Sequence, residues 1–167
     1  MANTTDFEAS YTLNFVNCAA VAGTTSTFTS TVTTAGVING KFVTPLTAQT
    51  NAASPTTDAG TGLVFNALAP NQACALVFGQ TAAGALQLVQ GQIIATSVGV
   101  TTTPGALIFD PQFPTLPNNF LPLAYTIVRT APAAAAWTPG TSSWTASGVV
   151  ATTFQNVAAL PARPQAS

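Results

Sequence analysis

Histidine is missing from this chain, and charge is nearly missing with it. Three basic and four acidic residues stand among 167, a charged fraction of 4%, where an ordinary domain carries about 25%. Without histidine, no Ser-His-Asp or Cys-His arrangement can be assembled. Lys41, the sole lysine, adjoins Asn39-Gly40, a turn dipeptide that places it in solvent instead of a base's pocket. Glycosidase chemistry needs two carboxylates flanking one bond. The only close pair, Asp6 and Glu8, lies in the N-terminal stretch, and Asp58 and Asp110 fall in separate loops. Cys18 and Cys74 are far apart and lack histidine partners, so metal-ligand spacing is absent. They read as two buried thiols acting as small hydrophobes, although counting alone does not exclude a disulfide between them. Phosphate-binding glycine loops and calcium loops are absent too. The expectation is a protein that is not an enzyme, with no cofactor and no small-molecule substrate.

The scarcity of charge also bears on partners. Lys41, Arg129 and Arg163 are too dispersed to neutralise a run of phosphates, which excludes nucleic acid. The longest uncharged stretch, 59–109, is interrupted by Pro70, Asn71, Gln72, Gln80, Gln87, Gln90 and Gln92. A membrane span needs about 20 predominantly apolar residues, so no membrane partner is expected. The N-terminus carries acids where a signal peptide carries bases, and the expectation is synthesis in a cytoplasm.

What the chain does have is 47% hydrophobic residues, 12 glycines and 12 prolines. Disordered segments combine low hydrophobicity with high charge, so a packed core is expected. A net charge of -1 gives the surface little long-range repulsion, and such surfaces tend to associate. Much of that surface is therefore expected to end against a partner.

Period-two patterns dominate. Tyr11, Leu13 and Phe15 share one face, with Thr12 and Asn14 on the other. Phe28 and Val32 oppose Thr27, Thr29, Thr31 and Thr33. Residues 37–46 read as a strand interrupted by Asn39-Gly40, a tight-turn signal because both central residues need φ > 0. Residues 74–78 and 85–94 read as a hairpin with a longer loop, 106–109 as a short strand, 123–130 as the best strand of the second half, and 149–157 as the last. In 123–130, Tyr125 and Ile127 oppose Ala124, Thr126 and Val128. Helix is confined to two candidate stretches, 70–78 and 133–136, the latter limited by Pro132 and Pro139. Many short strands separated by Gly and Pro predict an all-β, single-domain antiparallel β-sandwich, jelly-roll-like, with long Pro-rich loops and extended termini. The expected organisation is an N-terminal arm at 1–10, the sandwich at 11–159 and an extended tail at 160–167.

Two loops stand out. Residues 47–61 are Thr/Ala/Asn-rich. Residues 110–122 hold four prolines interleaved with Phe113, Leu116, Phe120 and Leu121. Proline keeps such a segment extended, and its apolar side chains must be buried, either on their own sheet or on a neighbouring subunit. Trp137 and Trp144 read as core or interface anchors, with an aromatic platform for sugars as the alternative.

The segment Trp137-Thr-Pro-Gly, then Trp144-Thr-Ala-Ser-Gly, then Phe154-Gln-Asn-Val-Ala-Ala-Leu-Pro-Ala-Arg-Pro-Gln165 resembles the C-terminal end of small virion structural proteins of tailed bacteriophages. The resemblance covers about the last third and, more weakly, 113–129. It implies a particle component with no catalytic residues, found in the virion and made in the host cytoplasm. The reading that follows is a head decoration (cement) subunit. Its expected partners are the major capsid protein and copies of itself, as a homotrimer. The alternatives are a tail or fibre subunit with glycan binding through the tryptophans, and a secreted adhesin-like subunit. Contacts are expected from the arm, the 110–122 segment and the tail. Phe7, Phe113, Leu116, Phe120, Leu121, Trp137, Trp144 and Arg163 are the interface candidates, with Arg163 pairing with a partner's carboxylate.

Overall fold

Two strands of nine and ten residues organise the chain. They are β7 (Gln72–Gln80) and β10 (Leu121–Thr130), paired antiparallel at the centre of a six-stranded sheet. The structure is a computed structural model and describes residues 11–165. The remaining strands are short: β1 (Leu13–Asn14), β2 (Val21–Ala22), β3 (Phe28–Ser30), β4 (Gly36–Ile38), β5 (Lys41–Phe42), β6 (Gln49–Ala52), β8 (Leu86–Gln90), β9 (Ile94–Ala95), β11 (Val149–Ala151) and β12 (Gln155–Asn156). The central sheet has the order β11-β10-β7-β8, with β12 on β10 and β9 on β7. Two three-stranded sheets, β1-β4-β5 and β2-β3-β6, complete an all-β antiparallel sandwich.

No helix occurs among the described residues. The candidate stretch 70–78 became β7, and 133–136 is turn and irregular chain. The 106–109 strand is reduced to one bridge, Leu107 to Thr96. The strand expected at 149–157 is two strands, β11 and β12, both on β10. The loop 47–61 contains β6.

Both faces of the central sheet are buried, which is why β7 and β10 are covered almost end to end. On one face Cys74, Leu76 and Phe78 join Leu121, Leu123, Ala124 and Val128 beneath the two smaller sheets. Phe28 stacks on Phe78 at 5.0 Å and Phe154 does so at 5.2 Å. Trp144 lies edge-on to Phe154 at 5.6 Å and 5.3 Å from Trp137. On the other face Val77, Val89, Phe120 and Tyr125 form a second cluster, roofed by Phe113, Leu116, Val157 and Leu160.

A bulge explains how Leu121 and Leu123 reach the first face while Tyr125 reaches the second. The register of β10 against β7 slips between Pro122 and Ala124. One extra residue reverses the alternation, and Pro122, which has no N–H, sits where the ladder is interrupted. Opposite it, Gly79 leaves room for the Phe120 ring: a Cβ there would lie 2.4 Å from that ring.

Buried and half-buried polar groups tie loops to this frame. Gln80, fully buried, accepts from the Thr34 hydroxyl and donates to the Thr44 carbonyl. Asn156 accepts the Ala20 N–H at 2.7 Å and the Cys18 thiol, and donates to the Ala20 carbonyl. Such satisfied pairs offset the desolvation that burial imposes.

Candidate interaction surface

Four of the interface candidates serve the chain's own core. Phe120, Leu121, Trp137 and Trp144 are all buried, with Leu121 and Trp137 essentially sealed. The Trp137 indole N–H donates to the Ser143 carbonyl and that of Trp144 to the Thr27 carbonyl, both at 2.9 Å. Indoles held this way present no open platform to a sugar. Phe113 and Leu116 are half-buried; the Phe113 ring lies edge-on to Tyr125 at 4.9 Å. The 110–122 segment therefore packs over its own sheet, because Tyr125 and Val77 need a cover and this segment supplies it.

The tail follows the same logic. Leu160 packs on the second cluster, Pro164 is buried, and the Gln165 N–H donates to the Tyr125 hydroxyl at 3.0 Å. Arg163 is exposed, and its guanidinium pairs with Asp110 of the same chain. Residues 160–165 are thus folded onto the domain. Phe7 lies outside the described residues.

The cysteines are both free and buried. Burial pushes the Cys74 thiol up to about 12, against a lesser opposing pull from Gln90, and burial raises Cys18 as well. Burial thus favours the protonated thiol at both positions, which lowers their reactivity.

Comparison with known families, curated proteins and solved structures finds no match for this chain.

What the geometry displays is exposed apolar surface. Phe42 is 84% exposed, and Phe15, Tyr11, Leu63, Val64, Val98, Val100, Ile108 and Phe109 are exposed too. Some of these are grouped. Leu13 pairs with Val37 and Val37 with Phe42 across β1, β4 and β5. Residues paired this way project from the same face of the sheet, and Phe15, two residues on from Leu13, shares it. The Phe15 and Phe42 rings meet edge-to-face at 6.3 Å. The sequence alternation of Tyr11, Leu13 and Phe15 is real, but it marks the outer face. Asn14 is the residue turned inward: it is buried, its side chain donates to the Val157 carbonyl, and its N–H donates to the Ala158 carbonyl.

A second group lies on an excursion between the Thr96 and Leu107 bridge residues. Val100 and Thr103 exchange backbone hydrogen bonds around Thr101, which has φ 43. Val98 and Val100 are exposed along this excursion, and Ile108 and Phe109 just beyond it. Sequence reasoning missed both groups, since period-two patterning says which residues share a face and not which face meets solvent.

Proposed function

We propose that this protein is a structural subunit of a virus particle, a head decoration subunit that packs against the major capsid protein and copies of itself. The observation that carries the reading is the exposure of large apolar side chains, Phe42 and Phe15 foremost, on a nearly uncharged chain whose own core is already filled. Single exposed apolar residues are ordinary, whereas grouped ones mark interaction surfaces. The C-terminal resemblance to small phage virion proteins supplies the setting, and with it the homotrimer. The mechanism is additive burial. At roughly 25 cal/mol per Å² of apolar area, modest contacts repeated around a symmetric shell sum to a large stabilisation. Within the tail or fibre alternative, glycan binding through Trp137 and Trp144 loses its support, because both are core residues.

Quantitative mass spectrometry of purified particles, with heads separated from tails, tests this. Recovery with heads at a copy number comparable to the shell protein is the expected result. Recovery with tails at low copy, or absence from particles, overturns it.

A further inference from the structure

The edge of the β1-β4-β5 sheet holds a cleft. It measures ≈ 330 Å³ and is lined by Ile38, Asn39, Lys41, Phe42, Ala82, Asn118 and Asn119. Its walls are tied together: Thr44 N–H donates to the Ala82 carbonyl at 2.8 Å, Ala82 N–H to the Asn119 side chain at 2.9 Å, and the Asn39 amide to the Asn118 carbonyl. A cleft braced in this way is formed before anything enters it.

Its chemistry is specific. Phe42 and Ile38 supply apolar surface, and Lys41, exposed, supplies an amine. Asn39 and Gly40 have φ of 49 and 73, the tight hairpin turn that the sequence predicts. Ile38 therefore bonds Lys41 across the turn, and the next pair, Val37 and Phe42, is non-bonded. Phe42 then directs its own N–H and C=O away from β4, toward the open edge.

The chain's few charges identify an occupant. Asp110 is paired with Arg163, Asp58 accepts the Gly60 N–H, and Arg129 donates to the Gly105 carbonyl. Lys41 has no carboxylate partner among the described residues. The chain's other two side-chain carboxylates are Asp6 and Glu8, and they flank Phe7. An aromatic side chain between two acids complements an apolar cleft with one amine at its rim.

The reading that copies pack against each other assigns this segment to a neighbour's cleft. The Gly40 N–H donates to the Tyr11 carbonyl, so Tyr11 lies at the hairpin-tip end of its sheet. β1 runs from there away from the tip, so the chain before Tyr11 joins the sheet at its hairpin-tip end. Nine residues reach at most about 30 Å, enough to cross to a neighbour.

From these observations we infer that residues 2–10 of one copy dock on the β5 edge of the next, with Phe7 in the cleft beside Phe42 and Asp6 and Glu8 at Lys41. This rests on the reading that copies pack against each other.

The full chain carrying the photo-reactive analogue benzoylphenylalanine at position 7 tests it. Light and heavy-isotope copies are mixed, irradiated, and mapped by mass spectrometry. Cross-links from position 7 to 38–43 or 118–119 that join light to heavy copies are expected. Cross-links confined to one isotope, cross-links elsewhere, or none at all overturn the inference. Separately, Lys41→Glu is expected to weaken self-association measured by sedimentation by about tenfold or more, with recovery when Asp6→Lys and Glu8→Lys are added. Unchanged association in Lys41→Glu, or failure of the reversed charges to restore it, counts against the docking. Cross-links of the expected kind in a protein that never enters heads would leave the docking standing and remove the particle role. Entry into heads with position 7 cross-linked elsewhere would do the reverse.

Discussion

Replacing Phe78 and Phe42, one at a time, by alanine separates the core from the exposed surface. Both are phenylalanines on strands, and their environments are opposite. Phe78 has no exposed surface and touches Phe28, Phe154 and Trp144, with ring centroids 5.0, 5.2 and 6.1 Å away. Truncating a buried Phe costs about 3–5 kcal/mol, and here three aromatic partners lose their neighbour, so the upper half of that range applies. For a chain of this length each kcal/mol lowers Tm by roughly 2–4 °C, giving a fall of about 8–20 °C. Phe42, 84% exposed, has little burial to lose, and Phe42→Ala is expected to shift monomer stability by less than about 0.5 kcal/mol. Urea unfolding followed by fluorescence of the buried Trp137 and Trp144 reads both. It is run at a dilution where the native protein is a single species, since association would add to apparent stability. A loss under about 1 kcal/mol for Phe78→Ala, or above about 2 for Phe42→Ala, would refute the assignment of these residues to core and surface.

Other consequences are as direct. The Cys74 thiol has a folded pKa of about 12 against an ordinary 9.0. The unfolded chain therefore releases this proton first as pH rises, and stability that is full below pH 9 falls by up to about 1.4 kcal/mol per pH unit between pH 9 and 12. Urea midpoints at pH 8 and pH 10.5 check this, with Cys74→Ala expected to flatten the dependence. Asn156→Ala strips the Ala20 N–H of its partner and is expected to cost about 1–3 kcal/mol by thermal unfolding. Arg163→Ala removes a pair that is more than half exposed on both sides, and a change under about 1 kcal/mol is expected in the same assay. Gly79→Ala drives a methyl into the Phe120 ring, and a loss of about 1–3 kcal/mol in urea checks the tightness of that approach.

The all-β class was legible because local rules dominate it. Proline and glycine spacing ruled out long helices, and Asn39-Gly40 fixed a turn whose two positive φ values the structure bears out. The opposition of Tyr125 and Ile127 to Ala124, Thr126 and Val128 is also local, and holds in β10, with Tyr125 in the second cluster and Ala124 and Val128 in the first. The strand at 27–33 was legible only in part. It ends at Ser30, so Phe28 is buried while Val32, four residues on, is 41% exposed. Illegible altogether was the side of each element that meets solvent, because that depends on contacts between residues distant in sequence. Asn14 is buried only because Val157 and Ala158 come to meet it.

Six of the interface candidates drawn from the sequence, Phe113, Leu116, Phe120, Leu121, Trp137 and Trp144, are large apolar side chains, and size is the property that a core competes for first. A central sheet buried on both faces needs two covers. The chain provides them with its tryptophans on one side and with 110–122 and its tail on the other. Once these are spent, the apolar residues left for contact with other molecules are those on the short outer strands and the loops beside them. Lys41 and Phe42 are adjacent on such a strand and fall on opposite faces of it. An edge strand of two residues is a weak template for uncontrolled pairing, while one lysine, one exposed ring and one braced cleft still suffice to select a partner whose sequence supplies an aromatic ring between two acids.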